Sequence, residues 1–211
     1  MNDVVLYDYW RSSASYRVRI ALNMLGISYR TVPINLLEGR QKSPEYLELN
    51  PQGLVPTLVI DGQVMTQSLS IIEYLAELRP ERGLLPAGIA DRQHVRTLAY
   101  AVAMDIHPIC NMHVAAYVMT ITDKGDAREE WMRHFIADGL RKLERMLGKF
   151  DGAFSFGDTP GMADICLVPQ VYNARRWGVD LTDLTRIVEI DGRCAKLSAF
   201  QAAHPDRAKP Q

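Results

Sequence analysis

Cysteine is scarce in this chain. Among 211 residues there are three, Cys110, Cys166 and Cys194, and no two of them form a CxxC pair. That excludes a cysteine-based zinc clip and a dithiol redox pair, and the low, odd count fits a reducing compartment. An excess of either charge is missing too: 24 basic and 25 acidic side chains leave a formal net charge of −1. No global field therefore gathers nucleic acid or an acidic membrane. No uncharged apolar run reaches the roughly 18 residues that a transmembrane helix needs. The opening "MNDVVLYDYWR" has neither the basic start nor the long apolar core of a secretory signal. His94, His113, His134 and His204 lack ligand spacing, so no metal is expected. Hydrophobic residues at 47% and charged residues at 23% exclude a disordered chain. The expectation is a soluble, cytoplasmic protein, with no nucleic acid and no membrane as partner.

Val4 to Trp10 is rich in β-formers and predicts a strand. From Ala14 the apolar residues Val18, Ala21, Leu22 and Leu25 follow helical spacing up to a stop at Gly26. Ile27 to Asn35 predicts a second strand, and the resulting βαβ unit requires the two strands to be parallel. Ser43 and Pro44 open a short helix. Asp61-Gly62 marks a hairpin between two short strands. A helix ended by Pro80 follows. Pro and Gly then concentrate between Arg79 and Asp91, and beyond them 91–121, 126–149, 162–177 and about 183–201 all have helical patterns. The fold class expected is an α/β domain over 1–84 (βαβ-ββα) followed by an all-helical domain over 85–211.

Three short stretches stand out where an element begins. In "RSSASYRVRIAL", Ser12 or Ser13 can cap a helix, but a cap needs one hydroxyl, and Ser12, Ser13 and Ser15 cluster there beside Arg11, Arg17 and Arg19. A helix start also favours an anion. In "LVPTL", Val55-Pro56 reads either as an ordinary trans proline opening an edge strand or as a cis bond that turns Val55's backbone toward an extended ligand. In "TQSLSIIEYL", Ser68 or Ser70 can cap a helix, or Gln67 and Ser68 can meet a carboxylate.

Taken in order, these features resemble the cytosolic glutathione transferases. "SSASYRVRIAL" is similar to the SSCSWRVRIAL-type motif of the zeta class, and "TVPINLLEG", "LNPQGLVPTL", "QSLSIIEYL", "DIHPICN", "ADICLVPQVYNARRWGVDL" and "AFQAAHP" also resemble zeta-class segments. The resemblance implies a thioredoxin-like first domain, glutathione as cofactor, a homodimer, and isomerisation of maleylacetoacetate in tyrosine and phenylalanine breakdown. Maleylpyruvate isomerisation in gentisate-type degradation is the alternative, with conjugation or dehalogenation of small α-halo acids as a third. By the same resemblance Ser12, Ser13, Ala14, Ser15, Tyr16 and Arg17 surround the thiol, and Gln41, Val55 and Pro56 contact glutathione. Gln67 and Ser68 hold its γ-glutamyl carboxylate, and His107 and Asn111 overhang it. Arg176, with Arg11 as a second candidate, meets a carboxylate of the dicarboxylate substrate. Ser12, Ser13 and Arg176 carry the implied catalytic roles.

The implied chemistry needs a thiolate, since a thiol of pKa ≈ 8.5 is only a few per cent ionised at pH 7. Lowering that pKa by ~2 units takes about 2.7 kcal/mol. A hydrogen bond from Ser12 to the anion and the helix end together are of that size. Two departures stand out: Ala14 replaces the family's cysteine, and Gly161 replaces the Ser or Thr usual opposite Asp164.

Overall fold

The computed structural model describes residues 3–210. Two compact units are present: residues up to Leu84 together with those from Lys196 onward, and Leu85–Ala195. The first is built on a four-stranded sheet of order β2-β1-β3-β4. Strand β1 (Val4–Asp8) is parallel to β2 (Arg30–Pro33) and antiparallel to β3 (Thr57–Ile60), which pairs with β4 (Gln63–Thr66). Both β1 and β2 are shorter than the runs of β-forming residues that predict them. Ile60 faces Gln63 across the Asp61-Gly62 turn, where both central residues have positive φ, the conformation a two-residue hairpin of this hand requires.

Helix α1 (Ser13–Met24) is buried along most of its length, with Arg17 and Arg19 as deeply buried as Val18, Ile20 and Leu22. A helix covered on all sides needs neighbours on all sides. It packs against α3 (Ser68–Leu78) and against α9 (Ser198–Ala203) near the C-terminal end. Side chains of α1 also bond that segment: Asn23 Nδ2 donates to the Ala199 carbonyl at 3.1 Å and Arg19 Nε to the Ala203 carbonyl at 3.0 Å. Hence residues 196–211, expected in the helical domain, cluster with the first unit instead. Helix α2 (Pro44–Leu49) starts at its Ser43 cap, whose hydroxyl accepts from Tyr46 N at 3.3 Å.

In the second unit, α4 (Ile89–Tyr100) runs into a π-helical segment (Ala101–Ile106) and then a 3₁₀ turn (Pro108–Cys110). Asn111 restarts the chain as α5 (Met112–Val118), its Oδ1 accepting from Met112 N at 2.8 Å. The single helix expected over 91–121 is broken because Pro108 has no N–H to continue the ladder. Helix α6 (Ala127–Leu147) buries Met132, Ile136, Leu140, Leu143 and Leu147 at helical spacing. Gly139 lets the π segment close in, because a Cβ there would run into the Ile106 side chain. Helix α7 (Met162–Arg176) is almost wholly buried. The stretch expected over 183–201 divides into α8 (Thr185–Cys194) and α9, and α10 (Pro205–Ala208) follows.

Candidate active site

Strand β1 ends at Asp8, and a turn closed by Ser12 N donating to the Tyr9 carbonyl at 2.8 Å leads into α1. Ser12 is the N-cap, with extended backbone (φ −70°, ψ 123°) and an Oγ that accepts from Ser15 N at 3.2 Å. A hydroxyl has one donor and two acceptor positions, so the cap occupies a lone pair and leaves the O–H proton for a second partner. Capping and ligand contact are compatible in one side chain. Ser12 and Ala14 are half-buried, whereas Ser13, Ser15, Tyr16 and Arg17 are buried. Arg11 donates from Nη2 to Tyr9 Oη at 3.2 Å and lies over the Trp10 ring, which Lys209 approaches to 5.6 Å.

Of the other expected residues of the first unit, Ser68 is joined to α1 directly. Arg17, 1% exposed, donates from Nη1 to Ser68 Oγ at 3.2 Å, so a cation stands at the first residue of α3. The cap of α3 is Gln67, not Ser68 or Ser70, and its φ of +66° is unusual for a residue with a side chain. Sparsely populated backbone of this kind clusters at functional sites. Gln67 Nε2 donates to Gln52 Oε1 at 2.9 Å. The Val55-Pro56 peptide is cis. The preceding carbonyl, Leu54 O, accepts from Tyr46 Oη at 2.6 Å and Asn50 Nδ2 at 2.7 Å, whereas Val55 N–H and C=O enter no hydrogen bond among the described residues. Gln41 Oε1 is buried and likewise without a partner among the described residues. Gly53 lets the two loops meet, since a Cβ there would sit 3.1 Å from the Gln41 carbonyl.

The remaining expected residues belong to the second unit. His107, half-buried, lies between the π segment and the 3₁₀ turn, and Asn111 is the cap of α5. The adjacent arginines at the end of α7 differ in employment. Arg175 Nη1 is 2.7 Å from Asp191 Oδ2, a carboxylate only 8% exposed, while Arg176, exposed, donates to Asn173 Oδ1 at 3.3 Å. Asp164 Oδ2 accepts from Gly161 N at 2.8 Å and Oδ1 from Ser155 N at 2.9 Å, so the aspartate keeps the α7 start even with glycine opposite.

One feature of the corner has no counterpart among the expected residues. Asp8 and Arg19, both 2% exposed, form an ion pair with both carboxylate oxygens within 2.8 Å of Nη1. Burial pushes the Asp8 carboxyl upward against the opposing pull of Arg19. The available signal was Arg19 itself, a charge inside the apolar run "VRIAL".

Residues 6–83 match the family "Glutathione S-transferase, N-terminal domain" and residues 125–202 match "Glutathione S-transferase, C-terminal domain". The chain is 64% identical over 211 residues to a maleylacetoacetate isomerase of Rhizobium meliloti, with 99% of each chain covered. In structure it is similar to a maleylpyruvate isomerase described as a bacterial glutathione S-transferase of the zeta class. The TM-score is 0.94 and the identity 42%, over 98% of this chain and 99% of that one. It is also similar to a maleylacetoacetate isomerase of Anaeromyxobacter dehalogenans with glutathione bound (TM-score 0.89, identity 40%, coverage 99% and 97%). A Ser-capped helix within a parallel βαβ unit, a cis proline before β3 and end-to-end likeness to such enzymes converge, and the chain belongs to the glutathione S-transferase family, in its zeta class.

Proposed function

We propose that the chain is a glutathione-dependent cis–trans isomerase that converts maleylacetoacetate to fumarylacetoacetate. The observation that carries this is the 64% identity, over nearly the whole of both chains, to a maleylacetoacetate isomerase. The residues present fit a γ-glutamyl tripeptide with a central thiol. Val55 offers an unpaired backbone N–H and C=O for an extended peptide, and Gln41 offers a buried acceptor without a partner among the described residues. Gln67, Ser68 and Arg17 form a cationic helix start for the γ-glutamyl carboxylate.

When bound, glutathione supplies a thiolate that adds reversibly to the substrate's conjugated double bond, so that rotation about that bond precedes departure of the sulfur. Ser12 would hold the sulfur, its hydroxyl donating a hydrogen bond while its oxygen still caps α1, and the helix end would add partial positive charge. A charge-assisted bond of about 1.5–3 kcal/mol would favour the ionised form. Ser13, Ala14, Ser15 and Tyr16 shape the wall beside the sulfur. Arg176 is the planar donor for a substrate carboxylate, with Arg11 as the second cation and His107 and Asn111 as further contacts to glutathione.

The TM-score of 0.94 to a maleylpyruvate isomerase supports maleylpyruvate as a second substrate. The same reading places two copies in a homodimer, supported by the exposure of Ile89 and Met104, and locates the enzyme in the cytoplasm, supported by its three buried free cysteines. Among the described residues no helix is long and apolar enough to cross a membrane. The test measures conversion of both substrates with and without catalytic glutathione. Conversion without net consumption of glutathione is expected. Stoichiometric consumption points instead to conjugation or dehalogenation, and no calorimetric uptake of glutathione overturns the reading.

A further inference from the structure

We infer that the buried Asp8–Arg19 pair is a positioning device for the Ser12 hydroxyl, and that it ties the setting of that hydroxyl to the C-terminal segment. This rests on the reading of Ser12 as the group that holds the thiolate.

The geometry converges on one guanidinium. Arg19 lies seven residues beyond Ser12, two helical turns along α1 and on the same side of it. Its Nη1 meets Asp8 Oδ1 at 2.7 Å and Oδ2 at 2.8 Å, its Nη2 donates to the Trp10 carbonyl at 2.9 Å, and its Nε to the Ala203 carbonyl at 3.0 Å. One rigid, planar set of donors therefore fixes the end of β1, the middle of the turn and the end of α9 relative to one another. Between Asp8 and Ser12 lie only Tyr9, Trp10 and Arg11. With the Trp10 carbonyl held and the turn closed from Ser12 N to Tyr9 O at 2.8 Å, little freedom remains in that bridge.

Two further observations separate this from ordinary packing. A buried ion pair is poor evidence for stability, because well-packed apolar residues of similar size serve as well or better. Stability alone does not require a pair whose cation also reaches the turn that presents Ser12. Asp8 also balances the charge of Arg19, so the pair adds order at the corner with little net field. Lys209 of the C-terminal segment also stands 5.6 Å from the Trp10 ring of that turn. Tyr29 lies within electrostatic reach of both members, and the Tyr16 ring lies 5.3 Å from the Arg19 guanidinium carbon.

The test replaces the pair as a unit, Asp8→Leu with Arg19→Met, which keeps the packing and removes the bonds to Trp10 and Ala203. The bound glutathione thiol is titrated by its thiolate absorbance in the wild type, in the paired variant and in Ser12→Ala, alongside kcat and KM. In the paired variant the thiol pKa is expected to rise by about one unit, with kcat at neutral pH falling about tenfold and recovering at alkaline pH. KM for glutathione is expected to stay within about twofold, since the Val55 and Ser68 contacts are untouched. Arg19→Lys, which keeps a cation on Asp8, is expected to fall between the two, and it carries the test should the paired variant not fold. A paired variant with altered melting temperature but the wild-type thiol pKa and pH profile overturns the inference alone. A wild type whose bound thiol is no more acidic than in Ser12→Ala overturns the reading of Ser12, and the inference with it.

Discussion

Arg17 and Ser68 meet across the first unit, guanidinium to hydroxyl at 3.2 Å, and so bring the first and third helices to a shared polar corner. A buried guanidinium at the first residue of α3 suits a carboxylate ligand there. Arg17→Gln is expected to raise KM for glutathione about tenfold, the size of one charge-assisted bond, and to change kcat at saturation little. Steady-state kinetics with varied glutathione decide it; an unchanged KM removes Arg17 from the carboxylate site.

Ser12 performs two tasks that substitution can separate. Asparagine is as good an N-cap as serine but has no hydroxyl, whereas alanine loses both properties. Ser12→Ala is expected to lose about 1 kcal/mol of stability together with a roughly ten- to hundredfold fall in turnover, and Ser12→Asn to show the same fall with the stability retained. Thermal melts paired with turnover read both. Near-wild-type turnover in the asparagine variant would falsify the thiol role.

Adjacent arginines at the end of α7 are expected to behave differently. Arg175→Ala leaves the nearly buried Asp191 carboxylate without its 2.7 Å partner and is expected to cost about 1–3 kcal/mol of stability. Arg176→Ala is expected to raise KM for the dicarboxylate substrate by about tenfold or more while the calorimetric affinity for glutathione stays constant. The reverse pattern exchanges their roles.

At the start of α7, Asp164→Ala orphans the N–H groups of Gly161 and Ser155 and is expected to cost on the order of 2–4 kcal/mol. Gly161→Ser adds a cap oxygen worth only a few tenths of a kcal/mol. Denaturant midpoints at constant m-value measure both. A small loss in Asp164→Ala would show that water replaces the carboxylate.

All three cysteines are buried and free, and burial pushes the Cys110 thiol up to about 11 and the Cys194 thiol higher still. Thiolate is the reactive form. Native protein at neutral pH is expected to resist alkylation and to take up the reagent only on unfolding, as mass spectrometry before and after denaturant reads out. Fast labelling of the folded chain contradicts this.

The local elements with strong chemical signals were legible in the sequence. Ser43-Pro44 opened α2, Asp61-Gly62 turned the hairpin, and a parallel βαβ unit stands where the strand–helix–strand spacing put it. What sequence left open was settled by partners distant along the chain. Gln67 rather than Ser68 is the cap position of α3, and the Ser68 hydroxyl accepts from Arg17 instead. The helix over 91–121 breaks at a proline that periodicity passes over. Asp8 and Arg19 announce no pairing from their positions, since burial depends on α9, which follows nearly two hundred residues later.

That return of the chain bears on how the molecule is made. The first unit is discontinuous: the segment from Lys196, whose α9 packs on α1, is synthesised only after all of Leu85–Ala195. On the ribosome the leading sheet must wait with α1 bare on one side until that later segment emerges. Long-range closure of that kind slows folding, and a nascent chain halted before residue 196 carries an uncapped surface for chaperones to hold.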